Sequence, residues 1–107
     1  AYRELLISGT ASIEPEGETA HKNDMDGQIR CTLEVVEALL ESRQMNWSNV
    51  TRAIVYVKHA QDIPRFEYQR TQLGLDNLPI IILSAEICRA DLLFEIEVDA
   101  IDVNSEF

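Results

Sequence analysis

From Phe94 to Ala100 the chain reads FEIEVDA, apolar and acidic in strict alternation. In an extended strand successive side chains point to opposite faces, so Leu92, Phe94, Ile96, Val98 and Ala100 share one face while Glu95, Glu97 and Asp99 share the other. A second alternation runs through TRAIVYVK, Thr51 to Lys58, where Ala53, Val55 and Val57 oppose Arg52, Ile54, Tyr56 and Lys58. Its branched and aromatic residues favour a strand. LLISGTA, Leu5 to Ala11, predicts a shorter strand that Gly9 bends or opens to a close backbone approach. Ile80 to Ile87, IIILSAEI, is a nearly continuous apolar run and predicts another strand. Only the short polar link Arg89-Ala90-Asp91 separates it from the last strand, which suggests a hairpin.

Elsewhere the period changes. Met25, Ile29, Leu33, Val36 and Leu40 recur at steps of three and four, which predicts an amphipathic helix from Asp24 to near Ser42 with Asn23 or Asp24 as its cap. A second helix is predicted from Asp62 to about Leu73, opened by an acidic residue and Pro64 and stopped by Gly74. Glu14-Pro15-Glu16-Gly17-Glu18 reads as a turn, and Met45 to Asn49 as a polar connection anchored by Trp47. The order is strand, helix, strand, helix, strand, strand. Two such helices cover one face of a four-stranded sheet. The other face, with Ile54, Ile80 or Ile81, and Ile82 beside its charges, is too apolar for water, so a homo-oligomer is expected in which sheets or sheet edges pack together.

Composition narrows the function classes. A length of 107 residues with 46% apolar content suits one compact domain, residues 1–103, followed by a tail or expression remnant at 104–107. Nine basic against nineteen acidic residues give a formal charge of −10, which repels a phosphate backbone and argues against nucleic acid as a partner. No apolar run approaches the roughly 20 residues that span a bilayer, and the chain lacks a signal-like start, so no membrane association and a cytoplasmic location are expected. Cys31 and Cys88 have no metal-ligand spacing, and His21 and His59 share no helical face. Free thiols, no metal and no cofactor are expected.

The acidic face holds the candidate chemistry. Glu95 and Glu97 stand two residues apart on one side of a strand, close enough to resist double ionisation, and burial at an interface pushes a carboxyl further toward its neutral form. A carboxyl tuned in this way can serve as acid or base near neutral pH. The plainer alternative is charge pairing with Arg52 and Lys58 across the sheet. Cys88 precedes the strand and either lines the same cleft or is a small half-buried side chain without chemistry. Ser8-Gly9-Thr10 either presents backbone N–H groups to an oxygen anion or is a bend. Tyr56 and Arg89 are candidate substrate contacts, Arg89 the better one for a carboxylate because its fork reaches both oxygens.

Several segments together resemble the YjgF/YER057c/UK114, or Rid, family: LLISGTASI at Leu5 to Ile13, QIRCTLEVVEALLES at Gln28 to Ser42, NVTRAIVYVKHAQDIPRF at Asn49 to Phe66, Leu78-Pro79, and FEIEVDAI at Phe94 to Ile101. The resemblance implies an α/β fold, an α+β sandwich of the chorismate-mutase-like YjgF type, with a mixed sheet, two helices on one face and a trimer whose ligand clefts lie between subunits. It implies an acid or water-activating role for Glu95, which falls on the acidic residue of the closing EIE motif. Deaminating members, which hydrolyse enamine and imine intermediates, hold the substrate carboxylate with an arginine two positions after the proline of a PAR motif. Here Pro79 is followed by Ile80 and Ile81, and Val35 stands where the family's helix carries asparagine. The ribonuclease activity attached to the family fits poorly with the acidic charge.

A narrower likeness lies within the same superfamily. ISGTASI and CRADLLFEIE resemble the C-terminal domain of chorismatases, which cleave chorismate to pyruvate and a hydroxybenzoate or dihydroxy acid. There the strand glutamate donates a proton, and a cysteine seven positions before it marks the hydroxybenzoate-forming type, the spacing of Cys88 and Glu95. The start at Ala1, with little before the SG segment, is what a C-terminal piece of a longer protein would show. The expected function is a homotrimer that binds or transforms a small carboxylated metabolite between subunits. The alternatives are a non-catalytic binding or structural trimer and the C-terminal domain of a chorismatase.

Overall fold

In a computed structural model, residues 2–103 are described, so the tail expected at 104–107 lies outside the described residues. Six elements follow in chain order: β1 (Arg3–Thr10), α1 (Met25–Glu41), β2 (Val50–Val57), α2 (Ile63–Gln72), β3 (Ile80–Ser84) and β4 (Phe94–Asp102). Single 3-10 turns at Trp47–Asn49 and Ala60–Asp62 lead into β2 and α2.

The helix ends follow their capping residues. Asp24 caps α1 by accepting a hydrogen bond from the Gly27 N–H, and Met25, Ile29, Leu33, Val36 and Leu40 are buried as their spacing predicts. Pro64 sits in the first turn of α2, where its missing N–H costs nothing, and Gly74 follows the helix with φ of +72°. Phe66 is the main apolar anchor of α2, its ring centroid 5.3 Å from that of Phe94 on the sheet. Trp47 is half-buried against the core and donates its indole N–H to Glu37.

The four strands form one mixed sheet in the order β1-β4-β2-β3, with β4 antiparallel to both neighbours and β3 parallel to β2. The hairpin expected between β3 and β4 does not form. Strand β4 is the longest and buries every second residue from Phe94 to Ala100, so it takes the central position with partners on both sides. The five-residue β3 lies at the edge, and the apolar run ends as a strand at Ser84 rather than Ile87. Residues 85–93 then cross the end of β2, held by Ala85 N–H to the Val57 carbonyl and Lys58 N–H to the Leu93 carbonyl.

Both helices pack on one face, where Val55, Val57, Phe94, Ile96, Val98 and Ala100 are fully or almost fully buried. The parallel register also corrects the outer-face assignment of β3. Ile80 and Ile82 stand beside Ala53 and Val55 and pack toward the core, whereas Ile81 and Leu83 stand beside Ile54 and Tyr56 and face away from the helices. No helix among the described residues is long and apolar enough to cross a membrane.

Candidate functional site

The candidate site lies on the face of the sheet that the helices leave uncovered. Alternation on β4 places Glu95, Glu97 and Asp99 there, half-buried, and register sets Tyr56 beside Glu95, Ile54 beside Glu97 and Arg52 beside Asp99. On the far side Leu6 of β1 stands beside Asp99. Between Ile7 and Thr10 the pairing slips: Ser8 and Gly9 together oppose Glu97 alone, a β-bulge. The bulge is where a side chain on β1 would meet the acids. A Cβ at Gly9 would lie 2.8 Å from Oε2 of Glu95, so the missing side chain is what lets the carboxyl rest over β1. The expected close backbone approach at Gly9 therefore exists, and its visitor is Glu95.

The three acids have different surroundings. Asp99 pairs with Arg52 at 3.3 Å. Glu97 accepts the Tyr56 hydroxyl at 2.6 Å, and that bond, followed by burial, raises the Tyr56 pKa above its ordinary value. Among the described residues no side chain donates to Glu95. Burial, then the negative charge of Glu97, raise its carboxyl above the ordinary range. Cross-strand charge pairing thus accounts for Asp99 and not for Glu95. Lys58, a candidate partner for the acids, turns its ammonium to the Ala90 carbonyl instead.

The remaining candidates lie on β1 and in the 85–93 connection, and no contact joins Cys88 or Arg89 to Glu95 among the described residues. Ser8 is exposed, and Thr10 donates its hydroxyl to the Ser8 carbonyl, which stiffens the bulge. Cys88 is an exposed free thiol in the 85–93 connection, and the Arg89 guanidinium donates to the Gly17 carbonyl. Cys31 is also free, and no cluster of three His, Cys, Asp or Glu side chains among the described residues is placed to hold a metal ion.

That connection is fastened by residues the periodicity did not single out. Gln28, fully buried on α1, donates to the carbonyls of His21 and Asp91 and accepts from the Leu93 N–H. Thr19 donates to the Asp91 carboxyl at 2.7 Å, a bond that lowers the Asp91 pKa. The available signal was a glutamine one position from Ile29, inside an otherwise apolar stripe. A groove lined by Arg30, Leu33, Glu37, Trp47 and Leu75 lies on the helical side, away from the acids.

Chemically, the uncovered face offers one carboxyl inclined to hold a proton, a neighbouring carboxylate and an apolar surround. Residues 2–102 match the sequence profile described as Endoribonuclease L-PSP, and the chain belongs to that family. The 3-hydroxybenzoate synthase of Streptomyces hygroscopicus is 31% identical over 103 residues, which cover 88% of this chain and 30% of that protein. The chain therefore spans less than a third of that relative's length. The RutC family protein PH0854 of Pyrococcus horikoshii is 29% identical over 95 residues, 87% of this chain and 75% of its own. A crystal structure of YyfA, a Rid-family protein from Yersinia pestis, shares the fold with a TM-score of 0.80 at 20% identity, over 91% of this chain and 79% of that one.

Proposed function

We propose that this member of the Endoribonuclease L-PSP family assembles as a homotrimer and binds or transforms a small carboxylated metabolite between subunits, with Glu95 as the acid or base. The observation that carries this reading is the half-buried Glu95 carboxyl, set over Gly9 with its pKa raised and, among the described residues, without a side-chain donor. A general acid must hold its proton near working pH and release it in the transition state, and a raised carboxyl meets the first condition. Arg89 would supply the positive charge for the ligand carboxylate, with Lys58 near the same connection.

Chorismatase-type chemistry is the sharper form. The likeness to a protein named 3-hydroxybenzoate synthase and the Cys88–Glu95 spacing support it, with Glu95 as proton donor and Cys88 beside the ligand. In this reading residues 1–103 act as one domain. The test is turnover of chorismate and of imino acids by the purified chain and by Glu95→Gln. Loss of about 10²–10⁴-fold in the variant is expected, the range that a positioned acid contributes. Unaltered turnover would remove Glu95 from the chemistry. Ile81, standing where the family's arginine would hold a carboxylate, favours a second reading as a binding or structural trimer, whose signature is ligand binding without turnover.

A further inference from the structure

Glu95 and Glu97 are chemically identical, two residues apart on one strand face, yet they sit in unequal fields. Tyr56 makes the difference. It stands in register with Glu95, but its hydroxyl reaches the diagonal neighbour and donates to Oε1 of Glu97 at 2.6 Å. A donated hydrogen bond favours the charged form of its acceptor, and two adjacent carboxylates resist carrying two charges. The candidate cations have other partners. Arg52 is engaged by Asp99, Lys58 by the Ala90 carbonyl and Arg89 by the Gly17 carbonyl. Strand β3 contributes Ile81 and Leu83, while β1 contributes Glu4, Leu6 and Ser8. Among the described residues Tyr56 is thus the one side-chain donor to the glutamate pair.

We propose that Tyr56 is a positioning residue that decides which carboxyl of the pair holds the proton: by donating to Glu97 and not to Glu95 it sets the two apart and leaves the proton on Glu95. This gives Tyr56 a role other than substrate contact. It deepens the reading of Glu95 as the acid and rests on that reading for its importance, although it can be measured without a substrate. The arrangement would make proton placement a property of sheet register, since a slip of β2 along β4 would remove the hydroxyl from Glu97.

The test is a carboxyl-detected NMR titration of Glu95 in the chain as it stands, in Tyr56→Phe, in Glu97→Gln and in the double variant, with amide spectra to confirm that each remains folded. In Tyr56→Phe the Glu95 midpoint is expected to fall by roughly half to one pH unit, because the hydrogen bond that sets the two carboxyls apart is gone. In Glu97→Gln it falls as well, since the like charge is gone, and the second substitution then adds little. An unchanged midpoint in folded Tyr56→Phe would overturn the proposal, as would an undiminished tyrosine effect when Glu97 is already glutamine. Should Tyr56→Phe fail to fold, the Tyr56 hydroxyl is titrated beside Glu95 in the original chain and in Glu97→Gln: a fall of both midpoints in the variant supports the proposal, and an unchanged midpoint for either residue overturns it. Failure of Glu95→Gln to affect turnover would sink the catalytic reading and leave this proton order standing.

Discussion

At the level of single residues the site depends on an absence at Gly9. A methyl group there would press on the far end of the Glu95 side chain, which can swing away, while Gly9 itself needs no positive φ. Gly9→Ala is therefore expected to change stability by no more than about 1 kcal/mol. It should still displace the carboxyl into solvent and lower the Glu95 midpoint, which denaturant melts and a carboxyl titration would show together. The raised Glu95 pKa also has a consequence for stability. A carboxyl whose pKa is higher folded than unfolded favours the fold fully below its unfolded pKa and loses that contribution as pH rises through its folded value. Glu95→Gln should therefore gain stability relative to the original chain on going from about pH 4 to pH 7, read from urea midpoints at each pH. No gain would mean that burial does not strain the ionised carboxyl. The acidic face with Glu95, Glu97 and Asp99 could be picked out from alternation alone, because carboxylates opposite a core strand face are conspicuous, while the role of Glu95 came from the family resemblance. Its difference from Glu97 could not be picked out, since which acid Tyr56 reaches depends on strand register.

At the level of elements, local pattern carried through and long-range pairing did not. The period of α1, its Asp24 cap and the Gly74 stop depend on neighbours in the chain, and each stands where the spacing predicts. The β3–β4 hairpin failed because pairing follows which strand can satisfy two edges, and the short gap between Ile87 and Phe94 holds no information about that. The gap is better understood as a strap. Gln28 closes it with two hydrogen bonds from inside the helix and ties it by a third to the His21 carbonyl, at a site where water is excluded. Gln28→Leu keeps the shape but leaves two carbonyls and one N–H without their partner, so a loss of about 2–4 kcal/mol is expected. Urea unfolding measures it. A loss below about 0.5 kcal/mol, within the range of ordinary surface changes, would show that the strap is held by its apolar contacts instead.

At the level of the whole molecule two tendencies oppose each other across the uncovered face. Leu6 is 65% exposed, Ile81 54% and Leu83 44%, an apolar strip on both sides of the acids that burial against other copies would stabilise. Each copy also brings a formal charge of −10, which opposes close approach. If this face is the trimer contact, light scattering should give about 37 kDa, three times the 12.2 kDa of one chain. Raising salt from low ionic strength should favour the trimer, because screening weakens the repulsion while the apolar contact persists. Ile81→Asp then puts a charge into the strip at a position that is open in the single chain, so the fold should survive while the assembly dissociates. The informative result is the comparison of the two readouts. Loss of the 37 kDa species with an unchanged far-UV spectrum would place the contact on this face, and retention of the trimer in Ile81→Asp would move it to a sheet edge and leave Glu95 open to solvent rather than enclosed between subunits.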